Sequence, residues 1–218
     1  MLIIGAKGFA KEVLQVFHDR GFTEKIAFYD DVNNDISGFL FNQFPILKNE
    51  EQVVEFFKTN GTNFTIGIGS PVLRYQLYKK FLNLGGNFVS SLSPLAQIGS
   101  YDVIIGDGTN VLSQAIFSNS IRIGMGCIIY YNVIITHDCM VGDFVELAPN
   151  VTLLGRCKIG FLSQIGANVT ILPDVKIGKN VIIGAGSVVT RDIPDNSVAV
   201  GIPAKVIKYL EPLHDIKL

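Results

Sequence analysis

The stretch "IRIGMGCIIYYNVIITHDCMVGD", residues 121–143, decides the fold. Its apolar residues recur at every sixth place, at Ile123, Ile129, Ile135 and Val141. Neither the 3.6-residue period of a helix nor the two-residue alternation of a half-buried strand produces that spacing. Followed outward, the run continues without a gap from Ile105 to Val189. Four residues after each apolar position comes a residue that is usually small or β-branched, here Cys127, Val133, Cys139 and Val145. An unbroken six-residue repeat is the signature of a parallel β-helix. A second period lies on the first: Gly106, Gly124, Gly142, Gly160 and Gly178 fall eighteen apart. Three hexapeptides therefore make one coil, a triangular prism with three short strands per turn. Ile98 and Ile104 keep the spacing but stand one residue out of register, an irregularity near the first coil.

This architecture makes columns predictable, because residues eighteen apart stack at about the 4.8 Å spacing of paired strands. His137 comes two places after Ile135, outside the core-facing positions, and its column neighbours are Asn119 and Gly155. Cys127, Cys139 and Cys157 all fall at the small inward position, which argues for core thiols rather than an acyl-enzyme nucleophile.

Up to about residue 90 the pattern is different. "MLIIGA", "KIAFYDD" and "NFTIGIGS" read as strands; "FAKEVLQVFHDRG" and "PVLRYQLYKKFLNLGG" carry helical spacing with glycine near their ends. Strands alternating with helices predict a parallel sheet with helical crossovers. The expected organisation is an α/β, Rossmann-like nucleotide-binding domain over residues 1–90. An all-β helix of hexapeptide repeats with a short C-terminal extension follows over 91–218. The first domain is half the size of a full dinucleotide fold, which disfavours an oxidoreductase and suits a mononucleotide. "GAKGFAKE" opens a helix with glycines whose backbone N–H groups can approach phosphate. Asp30 and Asp31 end the second strand, where acids meet ribose or base edges, and Gly69 ends the third strand on the same edge of the sheet. Arg74 is open to two readings, a phosphate contact or a solvated helix position.

A net charge of −1 implies no bulk attraction to nucleic acid or to an anionic membrane. With 17% charged and 48% hydrophobic residues, the chain is apolar for a soluble protein, as expected if subunits cover part of its surface. No uncharged run reaches membrane-spanning length, and "MLIIGAKGFAKE" lacks a basic leader, so a cytoplasmic protein without membrane insertion is expected. Three cysteines suit reduced thiols, and histidines and cysteines do not gather at metal-ligand spacing.

The hexapeptide repeats resemble those of the hexapeptide acyltransferases. "IIGAKGFAKEV", "YDD", "THD" and "GIPAKVI" together resemble the bacterial nucleotide-sugar acetyltransferases, a branch with N-acetyltransferases of UDP- or GDP-linked 4-amino sugars and sialic acid O-acetyltransferases. The resemblance implies a left-handed β-helix, a homotrimer and acetyl-CoA as co-substrate, with no metal. It implies a nucleotide-sugar substrate and a product used in surface polysaccharide synthesis. It makes His137 the general base and Asp138 its acid partner, roles that a neutral imidazole beside a carboxylate suits near pH 7. It supports Gly155 as the backbone N–H that stabilises the oxyanion. Lys7, Gly8, Phe9, Asp30, Asp31 and Gly69 are assigned to the nucleotide sugar. Lys158, Ala167, Ala185 and Lys205 are assigned to the CoA side, in a groove between neighbouring subunits. Some members carry a second histidine nine residues after the base; here Glu146 stands there. The expected activity is transfer to a sugar 4-amino group. Sugar O-acetylation and a non-catalytic nucleotide-sugar-binding scaffold are the alternatives.

Overall fold

The computed structural model describes residues 1–212. His214 and the end of the expected C-terminal extension lie outside the described residues.

The first part builds one sheet from β1 (Leu2–Ile4), β2 (Ala27–Tyr29), β3 (Phe39–Leu40), β4 (Phe44–Leu47), β5 (Asn63–Ile66) and β6 (Asn87–Phe88). The order is β3-β4-β2-β1-β5-β6, parallel except for the β3–β4 hairpin. Helices α1 (Gly8–Asp19), α2 (Glu50–Asn60) and α3 (Pro71–Asn83) make the crossovers. α2 is capped by the Asn49 side chain, which accepts from the Gln52 N–H, and α3 by Ser70 with Pro71 in its first turn. The chain leaves β1 toward β2 on one side and returns to β5 on the other. The carboxyl ends of β1 and β5 therefore frame a topological switch point, where ligands of such sheets bind.

From Ser91 onward the predicted prism forms, with three parallel sheets as its faces. The first face stacks Ser91–Leu92, Asn110–Val111, Ile128–Ile129, Glu146–Leu147, Gln164–Ile165 and Ile182–Ile183, and ends in an antiparallel pair, Ser197–Gly201 and Ala204–Tyr209. The second runs from Gln97–Ile98 to Val188–Val189, and the third from Val103–Ile105 to Lys176–Ile177. Apolar positions of the repeat from Val111 to Val189 are buried, as are the small positions from Thr109 to Ser187. Each fully buried aliphatic side chain contributes about 1.5–3 kcal/mol. Polar members of the small column are satisfied: Ser163 Oγ donates to the Gly178 carbonyl at 2.8 Å and accepts from the Val181 N–H at 3.0 Å. The eighteen-residue glycine ladder has a steric cause, since a Cβ on Gly106 would lie 2.6 Å from the backbone of Gly124 in the next coil.

The structure locates the irregularity of the first coil. Ile98 pairs with Phe117, nineteen residues on, whereas Ile105 pairs with Ile123, eighteen on. The extra residue is in the turn between them, so Ile98 joins the apolar column and Ile104 points outward, 55% exposed. At the far end the last coil is two residues shorter, and Ile193 pairs with Ile177. Ile193 therefore occupies the apolar column rather than the small one that the repeat count assigns to it.

Corners repeat as strictly as strands. A left-handed residue turns each corner in three columns: Asp102, Ser120, Asp138, Arg156 and Asp174; Gln114, Asn132, Asn150, Asn168 and Gly186; Gly108, Gly126, Phe144, Leu162, Asn180 and Asn196.

The first domain packs on the first face. Asn110, outward on that face, donates to the Ile66 carbonyl at 2.9 Å and accepts from Thr65 and Ser91. Tyr75 and Tyr78 of α3 meet Phe144 and Phe161 at the corner, and Phe9 of α1 meets Tyr130 with ring centroids 5.2 Å apart.

The buried residue that binds the two parts is Arg74, at 1% exposure. Its guanidinium donates to Ile68 and Gly69 carbonyls after β5 and to Gly126, Phe144 and Val145 carbonyls of the prism corner. Both sequence readings of Arg74, phosphate contact and solvated position, are thus corrected. The six-residue repeat could not reveal that α3 docks against the corner carbonyls. The hairpin, α2 and β6 were also not read from the sequence, because their segments are short or weakly periodic.

Candidate active site

Thr136, His137, Asp138 and Cys139 form the corner between the second and third faces. Its left-handed residue is Asp138, with φ 61°. That turn brings the carboxylate back beside the preceding ring, and His137 Nδ1 and Asp138 Oδ2 lie 2.7 Å apart. With Nδ1 carrying the proton donated to Asp138, Nε2 presents its lone pair, and among the described residues nothing else bonds it. Both side chains are about half exposed.

The column arithmetic holds at atomic detail. The His137 carbonyl accepts from the Arg156 N–H at 3.0 Å, and the Asp138 N–H donates to Asn119 at 3.2 Å. Gly155 lies directly over the imidazole: a Cβ there would come 2.6 Å from Cε1 and 2.7 Å from Nε2. The missing side chain thus first of all makes room for the ring. The Gly155 N–H makes no hydrogen bond among the described residues, so it also stays available as a donor beside Nε2. Gly155→Ala is expected to swing the ring off its seat and lower turnover by at least about tenfold, with an unchanged melting midpoint, since the displaced ring is half exposed and can move into solvent. Wild-type turnover in that variant would show that the ring has no fixed seat there.

Arg156 sits one coil from Asp138 and forms a two-point pair with Asp174, at 2.6 and 2.8 Å. Lys158 follows on the third face, exposed, with Lys176 as its coil neighbour. Cys139 and Cys157 stack beneath this corner at zero exposure. The neighbouring Cys157 thiol holds the Cys139 thiol below its ordinary range. Its sulfur nevertheless lies on the core side of the wall, where no acyl group can reach it.

The residues assigned to the nucleotide gather elsewhere, at the carboxyl edge of the first sheet. A cavity of about 200 Å³ opens there, lined among others by Gly5, Asp30, Asp31, Asn33, Ile68 and Leu77. Lys7 precedes α1, exposed, its Nζ 3.4 Å from Asp35. Gly8 borders open space, and the first N–H groups of α1 lack helical partners. The Phe9 side chain does not enter the cavity. It is 9% exposed and packed on Tyr130, so only its backbone is at the ligand side. The Asp30 carboxylate is buried and taken by its own turn, accepting from the Asn33 N–H and amide group and from Val32. Asp31 is more open, oriented by Tyr29 Oη at 2.8 Å and Lys80 Nζ at 3.5 Å. The Tyr29 bond and Lys80, opposing partial burial, hold its carboxyl below the ordinary range.

Gly69 brings the two parts together in a way the sequence reading missed. A Cβ on it would lie 3.9 Å from Glu146 Oε2, which accepts from Gln164 at 3.1 Å and lies 3.9 Å from Arg74 Nη1. Burial raises the Glu146 carboxyl above its ordinary range, with Arg74 and Gln164 pulling the other way.

One chain does not bring all the assigned residues together. His137, Asp138, Gly155 and Lys158 lie at or beside the corner opposite the first face. Ala167 and Ala185 stack at the corner between the first and second faces, and Lys205 is exposed on Ala204–Tyr209. The nucleotide edge lies on the first-face side as well.

Fold and site define a hexapeptide-repeat acyltransferase. Residues 156–191 match the bacterial transferase hexapeptide (six repeats) family and residues 1–81 the PglD N-terminal domain. In both parts the chain is similar to hexapeptide nucleotide-sugar acetyltransferases. PerB from Caulobacter crescentus, solved with CoA and GDP-perosamine, is 29% identical over 95% of this chain and 96% of its own, with a TM-score of 0.87. The acetyltransferase domain of PglB from Neisseria gonorrhoeae, solved with acetyl coenzyme A, is 28% identical over 94% and 98%, with a TM-score of 0.82. WeeI from Acinetobacter baumannii is 29% identical over 94% and 98%, with a TM-score of 0.84. Curated proteins yield no match to the chain. Among the described residues no helix is long and apolar enough to cross a membrane.

Proposed function

We propose that this protein transfers the acetyl group of acetyl-CoA to the 4-amino group of a nucleotide-linked amino sugar. The observation that carries the reading is the His137–Asp138 pair, 2.7 Å apart, with Nε2 free and a glycine N–H beside it. Likeness to PerB, solved with CoA and GDP-perosamine, and to the PglB domain, solved with acetyl coenzyme A, supports the donor and the substrate class. Acetyl-CoA, when bound, supplies the thioester. Asp138 keeps the ring in the tautomer with a proton on Nδ1, Nε2 takes the proton of the sugar nitrogen, and the Gly155 N–H faces the developing oxyanion. Lys158 and Lys205, both exposed cations, suit the phosphates of CoA.

The active unit in this reading is a trimer. The base occupies the corner opposite the first face, while the nucleotide edge lies over the first face, so one chain cannot apply its own base to its own nucleotide sugar. The second face, beside the His137 corner, presents Ile116 and Ile134, each 38% exposed, as an apolar strip for a neighbour. One subunit then supplies His137, Asp138, Gly155 and Lys158, and the next supplies the nucleotide edge with Ala167 and Ala185.

The test is release of CoA thiol with a panel of UDP-, GDP- and dTDP-linked 4-amino sugars. Turnover with one of them is expected. Release only with sugars that offer a hydroxyl would replace N-acetylation by O-acetylation, and binding without release would leave a scaffold. Cys139→Ala is expected to retain turnover within about threefold, because direct transfer needs no thiol. Loss of turnover with a folded trimer would restore the acyl-enzyme route.

A further inference from the structure

Glu146 is a partly buried carboxylate that the proposed mechanism does not use. It projects from the first face of the prism into the joint with the nucleotide domain, its side chain 17% exposed. On one side is the loop after β5, where Gly69 would touch Oε2 if it carried a Cβ. On another is Tyr130, which feels the Glu146 charge and packs on Phe9 at the start of α1. Glu146 thus stands on the prism wall beside the Gly69 loop and near Tyr130, on which the start of α1 packs.

Its neighbours leave it half satisfied. Gln164 donates to Oε2 at 3.1 Å. Arg74 approaches to 3.9 Å but directs its guanidinium at the Ile68, Gly69, Gly126, Phe144 and Val145 carbonyls. Arg74 therefore supplies charge without a hydrogen bond. Oε1 accepts none among the described residues, and it is not sealed from solvent. A group held in this way is an acceptor awaiting a donor.

Resting on the nucleotide-sugar reading, we propose that Glu146 is a specificity-determining residue that reads the sugar. A nucleotide sugar whose diphosphate meets the α1 N-terminus extends its sugar along this wall. There Glu146 accepts hydrogen bonds from hydroxyls of a neutral sugar and repels a sugar that carries a carboxylate. Like charges set face to face in a partly buried site oppose binding far more than they do in water. Glu146 thus selects neutral sugars and rejects uronic and sialic acid types.

The test is calorimetric binding of matched pairs to the full chain: UDP-glucose with UDP-glucuronate, GDP-mannose with GDP-mannuronate, dTDP-glucose with dTDP-glucuronate. The wild type is expected to bind the neutral member of at least one pair about tenfold or more tighter, and Glu146→Gln to narrow that to within about threefold. Glu146→Asp, which keeps the charge but withdraws it, is expected to fall between and serves as the reporter if the glutamine variant does not fold. Equal binding by the wild type, or a preference unmoved in the variants, overturns the role of Glu146 and leaves the nucleotide-sugar reading standing. No binding of any member overturns both.

Discussion

His137→Ala is expected to reduce thiol release by about 10²–10⁴-fold, the range that a positioned general base contributes. The loss should be confined to turnover. The side chain is 56% exposed, and Asp138 is its hydrogen-bond partner among the described residues, so neither packing nor a buried polar group depends on it. The thermal midpoint and the oligomeric state are therefore expected to match the wild type, and the KM for acetyl-CoA to change little. Single-turnover measurement of thiol release checks this, and near-normal turnover would remove the imidazole from the chemistry.

Arg74→Met should act in the opposite way, on stability first. Burial lowers the guanidinium to about 10, with Glu146 pulling it back up, so Arg74 is cationic at neutral pH. Methionine fills much of the stem's volume but donates nothing. It removes the guanidinium from five carbonyls, of which, among the described residues, Val145 alone keeps a donor, the Ile128 N–H, and it leaves Glu146 without its counter-charge. Breaking a buried charge out of such a network costs about 3–5 kcal/mol. Denaturant unfolding of the full chain should show that loss, and a change under about 1 kcal/mol would mean that the joint between the two parts does not depend on Arg74.

The β-helix was legible because its periodicity is enforced at every coil. A residue six places on must again face the core, and eighteen places on must again meet its own column. Arithmetic alone therefore stacked His137 on Gly155 and turned Cys139 inward. The nucleotide domain was legible in outline, since strand and helix periods alternate, but its joint with the prism was not. Arg74 has the sequence context of an exposed helix residue; its burial follows from five carbonyls contributed by segments up to 71 residues away. Likewise Asp30 reads as a ligand-facing acid at a strand end, whereas Asn33, three residues on, takes up its carboxylate. Such pairings have no period, so no repeat announces them. Phe9 illustrates the mixed case: its position at the helix start was evident, but its ring answers to Tyr130 in another domain.

The corner columns carry a consequence for how such a site can arise. At the corner between the second and third faces every coil needs one residue in the left-handed region, and Asp138 fills that post for its coil at φ 61°. Aspartate is among the few residues besides glycine that tolerate this backbone well. The same backbone sets its carboxylate against the preceding side chain. A histidine placed one residue earlier thus inherits an acid partner from a turn the prism already needs. The chemistry is added to the scaffold by filling one corner, without bending a coil out of register.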